Sequence, residues 1–432
     1  MQSVDLLIAN IGRLVTCAAP DGPLRGGSLA TPEAFVGAAV AIRNGGIVAV
    51  GAEEELAGRF DAAQRFDAGG RLALPGFVDP HTHCCYAGDR ADEFALRIGG
   101  ATYQELMAMG GGIMSTVRQT RAAAREELVA QTRRRLDRML AHGTTTVEVK
   151  TGYGLSTADE LAMLEALAEL ERTHPISIVP TFIGAHAIPA EYRDNPGAYA
   201  ELVIDEMLPA VAAWWAAQET WFIPLACDVF CETGAFDLEQ SRRILERARE
   251  LGFSAKLHVD EFDPLGGTPL AVELGALSAD HLVSTPPEHI AALAASDTIG
   301  VALPGTPFGL GHRHFTPARA LIDAGGALAL ASDCNPGTSI CESLPFIIAL
   351  ACRYLRITPA EALHAATINA AYALGRAADV GSLEVGKQAD LILLDLPGEQ
   401  HLGYRFGTNP VACVFKGGKL LIDRREADRL IG

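Results

Sequence analysis

The sequence predicts an α/β protein: a (β/α)8 TIM-like barrel with a small β-sandwich domain built from both chain ends. Three observations carry this reading. Between about residues 73 and 375, apolar runs of strand length alternate with helical patterns, as in the βα units of a parallel sheet. These runs number roughly eight, which is the number that closes a barrel. Several of them end in histidine, aspartate or glutamate, and the C-terminal ends of barrel strands are where such folds carry their chemistry.

Taken in order, the first segment reads as short strands with turns: Asp5 to Ile11, Ala38 to Arg43, Gly46 to Gly51 and Arg71 to Leu74. Ala389 to Asp395 and Pro410 to Leu421 have the same character. Neither end holds enough strand to close a core, so residues 1–72 and 376–432 are expected to form one composite sandwich around an inserted barrel, residues 73–375. Barrel strands are expected near 77–83, 144–150, 176–185, 226–231, 254–259, 276–280, 300–304 and 327–332. Helices are expected over Ala122 to His142, Ala158 to Thr173, Leu238 to Leu251 and Thr358 to Leu374. His142 and Gly143 suit the C-terminal end of the first.

Composition narrows the class of partner. The 432 residues are 49% hydrophobic and 20% charged, enough apolar material for a large core. A net charge of −18 without a dense Lys/Arg cluster argues against nucleic acid. The start lacks a basic leader and no apolar run reaches membrane-spanning length, so a soluble cytoplasmic protein is expected. The nine cysteines are odd in number and scattered, which fits reduced thiols. Cys84 and Cys85 adjoin His83 and read best as small buried hydrophobes.

The run Leu74-Pro75-Gly76-Phe77-Val78-Asp79-Pro80-His81-Thr82-His83 is the most informative stretch. Strand side chains alternate, so His81 and His83 face one side and can grip one metal ion. With His258 and Asp333 they form a nitrogen and oxygen set suited to zinc and tolerable for iron or manganese. Such an ion lowers the pKa of a bound water to about 7. Glu261, three residues past His258, is placed for general acid/base work. His281 can stabilise a developing tetrahedral centre or be a satisfied core histidine. Asp333 has two readings, metal ligand or proton acceptor. One metal is favoured over two, because Lys150 reads as an ion-pair partner of Glu148 rather than a bridging group. Lys256 should also face inward with an acidic partner. His312 and His314 repeat the i, i+2 spacing, but a solvated loop is the favoured reading there.

These residues come with Ala87-Gly88-Asp89-Arg90, Gly110 to Arg118, Thr145 to Leu155, Gly184-Ala185-His186-Ala187, Asp228 to Glu232 and Ser332 to Gly337. Together they resemble the imidazolonepropionases of the amidohydrolase superfamily, nearly end to end. The resemblance implies a hydrolase of histidine degradation that opens the imidazolone ring of 4-imidazolone-5-propanoate to N-formimidoyl-L-glutamate. It implies one zinc or iron ion per subunit, held by His81, His83, His258 and Asp333, and a homodimer. It also implies substrate contacts at Arg90, Tyr153, His186, Glu261, Asn335, Gly337 and Thr338. A carboxylate tail on the small-molecule substrate suits the guanidinium of Arg90, whose competing reading is an ion pair with Asp92 or Glu93. Cys84, Cys85, Cys334 and the loop around His312 depart from the family pattern. Two rivals are a sibling enzyme that deaminates a purine-like ring and a catalytically idle barrel.

Overall fold

The computed structural model describes all residues except Pro20, Ala57, 101–110, Thr220, Phe222 and 426–432, so Gly110 of the glycine-rich block lies outside the described residues. Eight parallel strands form the barrel: β6 (Phe77–Asp79), β7 (Thr144–Lys150), β8 (Ser177–Ala185), β9 (Ala226–Cys231), β10 (Ser254–Val259), β11 (Ser278–His281), β12 (Ile299–Ala302) and β13 (Leu328–Leu330). Each pairs with the next in chain order, from β6 to β13. The seam between first and last is bridged just past the strand ends, where Asp333 N–H donates to the His81 carbonyl at 3.1 Å and His83 N–H to the Cys334 carbonyl at 3.0 Å.

Helices pack outside the strands because their apolar residues fall on one face. The helix Leu238–Glu250 buries Ser241, Ile244, Leu245 and Ala248, spaced i, i+3, i+4 and i+7. Burial of Ile244 and Leu245 contributes about 1.5–3 kcal/mol each. Asp237 and Gln240 form a capping box at its start. The helix expected over Ala122 to His142 is found as Arg125–Ala141, and the one expected over Thr358 to Leu374 is divided. Ala123 and Ala124 adopt extended backbone that separates Arg125–Ala141 from the helix Ile113–Ala122 before it. The break between Pro359–Ala365 and Ile368–Ala373 lets the Ala366 carbonyl accept from Val78 N–H at 3.0 Å, tying the helix to the barrel seam.

The chain ends share one mixed sheet of eight strands. The N-terminal part supplies β1 (Gln2–Val15), β2 (Ala34–Arg43), β3 (Gly46–Ala52), β4 (Phe60–Asp67) and β5 (Leu72–Pro75). The C-terminal part adds β14 (Leu391–Leu394), β15 (Val411–Lys416) and β16 (Lys419–Asp423). β5 pairs with both β1 and β14, which is where the two ends join. The sheet folds back so that Ile8, Val40 and Ile42 share a core with Leu391, Leu393 and Phe415. Two details differ from the sequence reading. The stretch 410–421 is a hairpin turning at Gly417 and Gly418, and β4, whose side chains are mostly exposed, was not expected.

Candidate metal centre and active site

His81 and His83 sit just beyond β6 rather than on it, and the seam bonds hold them in line. His258 reaches the same point from the end of β10. The three Nε2 atoms converge, with that of His83 3.3 Å from His81 and 3.1 Å from His258. Asp333 Oδ1 stands 3.7 Å from His81 Nε2 and 3.8 Å from His83 Nε2, while its Oδ2 accepts the Thr306 hydroxyl.

Such crowding of imidazole nitrogens demands that they be unprotonated toward one another. Burial first, then the positive charges of Lys150 and neighbouring histidines, holds His81 well below the usual histidine range. Burial and His186 do the same for His83. The Nδ1 of His81 lies 2.6 Å from Asp280 Oδ2, so the neutral ring donates there and turns its Nε2 lone pair inward. His258 Nδ1 lies 3.0 Å from Asp228 Oδ2, and its backbone N–H donates to Asp228 Oδ1 at 3.1 Å. Inward lone pairs braced by carboxylates are the donor set a borderline metal ion requires. Among the described residues, the ligand atoms of His81, His83 and His258 lie within 4.8 Å of one another, close enough to hold one ion.

A buried charged layer lies beneath. Lys150 Nζ is 2.8 Å from Glu148 Oε2 and 2.7 Å from Asp228 Oδ2. Lys256 Nζ is 3.1 Å from Glu148 Oε1 and donates to the Pro80 carbonyl at 3.0 Å. Both lysines are therefore engaged in ion pairs. Register explains the meeting, because Lys256 stands opposite Asp228 and His258 opposite Asp280 on adjacent strands. Asp228, Asp280 and Thr306 have no assigned role in the sequence reading. For Asp228 and Asp280 the signal lies in the inward alternation of β9 and β11, but which partner each meets depends on register across the sheet.

Glu261 follows β10 with its side chain 11% exposed, and its Oε2 is 3.8 Å from His281 Nε2. Burial, with Asp333 and Glu232 adding negative charge, raises its carboxyl well above the ordinary range. The His281 ring lies 5.1 Å from that of His258 and 5.3 Å from that of His81, so it joins the cluster. Burial pushes Asp333 up to about 6. Asp260, His281 and Asp333 have φ of 53°, 77° and 49°, a left-handed backbone costing about 1–3 kcal/mol each, of the kind that clusters at functional sites.

His186 stacks on His83, ring centroids 4.6 Å apart. Its Nδ1 meets the Gly152 carbonyl at 3.0 Å, which fixes the proton on Nδ1 and leaves Nε2 as an acceptor. Burial lowers its pKa to about 3. Tyr153 is buried 6.1 Å from the His83 ring, and burial keeps its hydroxyl protonated. Arg90 is ion-paired with Glu93, through Nε at 2.9 Å and Nη2 at 2.9 Å, as its competing reading held. Its Nη1 lies against Gly337, where a Cβ would stand 2.5 Å away. Asn335 Oδ1 accepts from Gly337 N–H and Thr338 N–H at 2.8 Å each, and its Nδ2 donates to the Asp333 carbonyl at 2.7 Å. That side chain therefore braces its own loop. A cavity of about 370 Å³ opens beside Arg90, lined also by Phe94, Phe262, His312, Gly337 and Thr338. His312 and His314 are exposed and stand apart from the histidine cluster.

The amidohydrolase family matches residues 72–421. The imidazolonepropionase of Herpetosiphon aurantiacus is 68% identical over 421 residues, covering 98% of each chain. That of Symbiobacterium thermophilum is 52% identical over 432 residues, covering 99% of this chain and 100% of its own. Among solved structures, a zinc-bound adenosine deaminase from Xanthomonas campestris superposes with a TM-score of 0.70 at 22% identity, covering 98% of this chain and 94% of the other. A guanine deaminase from E. coli gives 0.70 at 16% identity, over 97% and 99%. At those identities the likeness shows the fold. The chain belongs to the amidohydrolase family and, within it, to the imidazolonepropionases.

Proposed function

We propose that this protein hydrolyses the cyclic amide of 4-imidazolone-5-propanoate to N-formimidoyl-L-glutamate, in histidine degradation. The observation that carries the reading is the convergence of three imidazoles and Asp333 beside a buried Glu261, in a chain 68% identical to an imidazolonepropionase. His81, His83, His258 and Asp333 would hold one zinc or iron ion, which when bound acidifies water and polarises a carbonyl.

The chain's own residues do the rest. Glu261, its carboxyl raised by burial, takes a proton from the attacking water and delivers it to the ring nitrogen as the C–N bond breaks. His281 stabilises the oxyanion of the tetrahedral centre by hydrogen bonding. His186 accepts from a ring N–H through Nε2, since its Nδ1 is committed to Gly152. Asp333, poised near neutrality at about 6, suits either a ligand or a relay for the first proton. Arg90 and the Tyr153 hydroxyl receive the propanoate tail, and Glu93 aligns the guanidinium. Asn335, Gly337 and Thr338 contribute a preformed turn as the wall of that subsite.

No helix among the described residues is long and apolar enough to cross a membrane. We read the protein as a homodimer, as the family resemblance implies, which light scattering on the purified chain tests. The functional test is turnover of freshly prepared substrate by metal-replete protein, followed as loss of the ring's ultraviolet absorbance. Absence of turnover would remove the reading.

A further inference from the structure

Two glutamates outside the reacting set are buried without a lysine or arginine ion-paired to them among the described residues. Glu160 is 0% exposed and Glu232 is 3% exposed. Burial of a carboxylate is costly unless it is hydrogen-bonded, so the fold must hold each for a reason. Their partners are backbone N–H groups of loops at the barrel mouth.

Glu160 lies in the first turns of the helix Thr157–Thr173. Its Oε1 accepts from Gly154 N–H at 2.9 Å and Leu155 N–H at 2.8 Å, and both oxygens lie within 3.2 Å of Gly152 N. Those donors bracket Tyr153. The loop needs such a clamp because Gly152 and Leu155 have φ of 89° and 50°, and a Cβ on Gly152 would strike His186 Nδ1 at 2.8 Å. Glu232 repeats the device after β9. Its oxygens accept from Thr233 N–H at 2.8 Å, Phe262 N–H at 2.9 Å and Asp263 N–H at 3.1 Å. The last two immediately follow Glu261, and Asp260 before it has a left-handed φ of 53°. Convergent amides of this kind form a nest that an anion fills.

We propose that Glu160 and Glu232 are positioning residues, each a buried anion that fixes one mouth loop, Glu160 presenting Tyr153 and Glu232 presenting Glu261. This rests on the roles given above to Tyr153 and Glu261. Because those roles differ, the two glutamates govern different kinetic parameters. Loss of the Glu232 clamp displaces the proton-transfer group and lowers kcat. Loss of the Glu160 clamp loosens the hydroxyl that receives the tail and raises KM.

The test uses the full-length, metal-replete enzyme with Glu160→Gln and Glu232→Gln, since an amide presents N–H groups where the loops need acceptors. Glu232→Gln is expected to lower kcat about tenfold to hundredfold with KM within about threefold, and Glu160→Gln to raise KM about tenfold with kcat within about threefold. Metal content should stay at the wild-type level in both. Hydrogen exchange reads the same variants without substrate. Amides of 152–155 should exchange about tenfold faster in Glu160→Gln alone, and those of 262–263 in Glu232→Gln alone. Where a glutamine variant does not fold, Glu160→Asp or Glu232→Asp replaces it, with the same split expected. Parallel changes of kcat and KM in both variants, or exchange that rises across the barrel or not at all, would overturn the proposal. Inactive wild-type enzyme with the exchange split intact would instead count against the functional reading alone.

Discussion

Replacing Asp280 by asparagine separates metal binding from folding. Asp280 Oδ2 accepts from His81 Nδ1 at 2.6 Å and lies 3.8 Å from Lys150 Nζ and 3.9 Å from Lys256 Nζ. Glu148, Asp228 and Asp280 face Lys150 and Lys256, leaving one negative charge in excess beneath the site. Asparagine keeps the shape but removes that charge and weakens the acceptor that makes the His81 Nε2 lone pair basic. Loss of such an outer partner weakens metal affinity about tenfold to hundredfold, or about 1.4–2.7 kcal/mol. The fold should lose little, because Lys150 keeps Glu148 and Asp228, and Lys256 keeps Glu148 and the Pro80 carbonyl. Competition with a zinc chelator measures the affinity, and urea denaturation of the metal-free proteins measures the fold. Affinity within about twofold of wild type, or a loss matched by equal loss of metal-free stability, would rule out Asp280 as the group that tunes His81.

Glu261→Gln should lower kcat by about 10²- to 10⁴-fold while the protein keeps its metal, checked by turnover and elemental analysis together; retained turnover would take Glu261 out of proton transfer. Gly337→Ala places a Cβ where Arg90 Nη1 stands, 2.5 Å away, so KM should rise about tenfold with kcat nearly constant. An unchanged KM would detach Arg90 from the tail. Glu171 is a stability probe remote from chemistry: burial pushes its carboxyl up to about 7 while it accepts Ile178 N–H at 2.5 Å. With the folded pKa raised, its contribution is fully present below about 4.5 and is lost as pH climbs through 7. Glu171→Gln should therefore match wild type near pH 4 and exceed it by up to about 3 kcal/mol near pH 8, read from urea midpoints; an equal difference at both pH values would disprove the assignment.

Barrel strands were legible in the sequence because buried parallel strands are short apolar runs, and their ends fell within a few residues of the expected places. The convergence of His81 and His83 owes less to strand alternation, since both lie past β6, than to the seam bonds from Asp333 and to Cys334. Features set by distant pairing were not legible. Asp280 meets His81 across 199 residues, and nothing local to either announces it. Glu160 and Glu232 are ordinary acids in sequence, distinguished by the backbone amides that tertiary structure turns toward them. β4 has no clear sequence signal because it pairs with β1 with most of its side chains exposed, so its alternation is faint. The divided helix Pro359–Ala365 and Ile368–Ala373 reads as continuous because its break serves a bond to Val78, outside its own sequence.

Water opens the ring in this mechanism and no nitrogen leaves. The most direct test is the mass of the product of a complete turnover, with ammonia measured in the same reaction. N-formimidoyl-L-glutamate, the substrate plus one water, without ammonia is the expected result. Stoichiometric ammonia, or a product that keeps the ring closed, would contradict it.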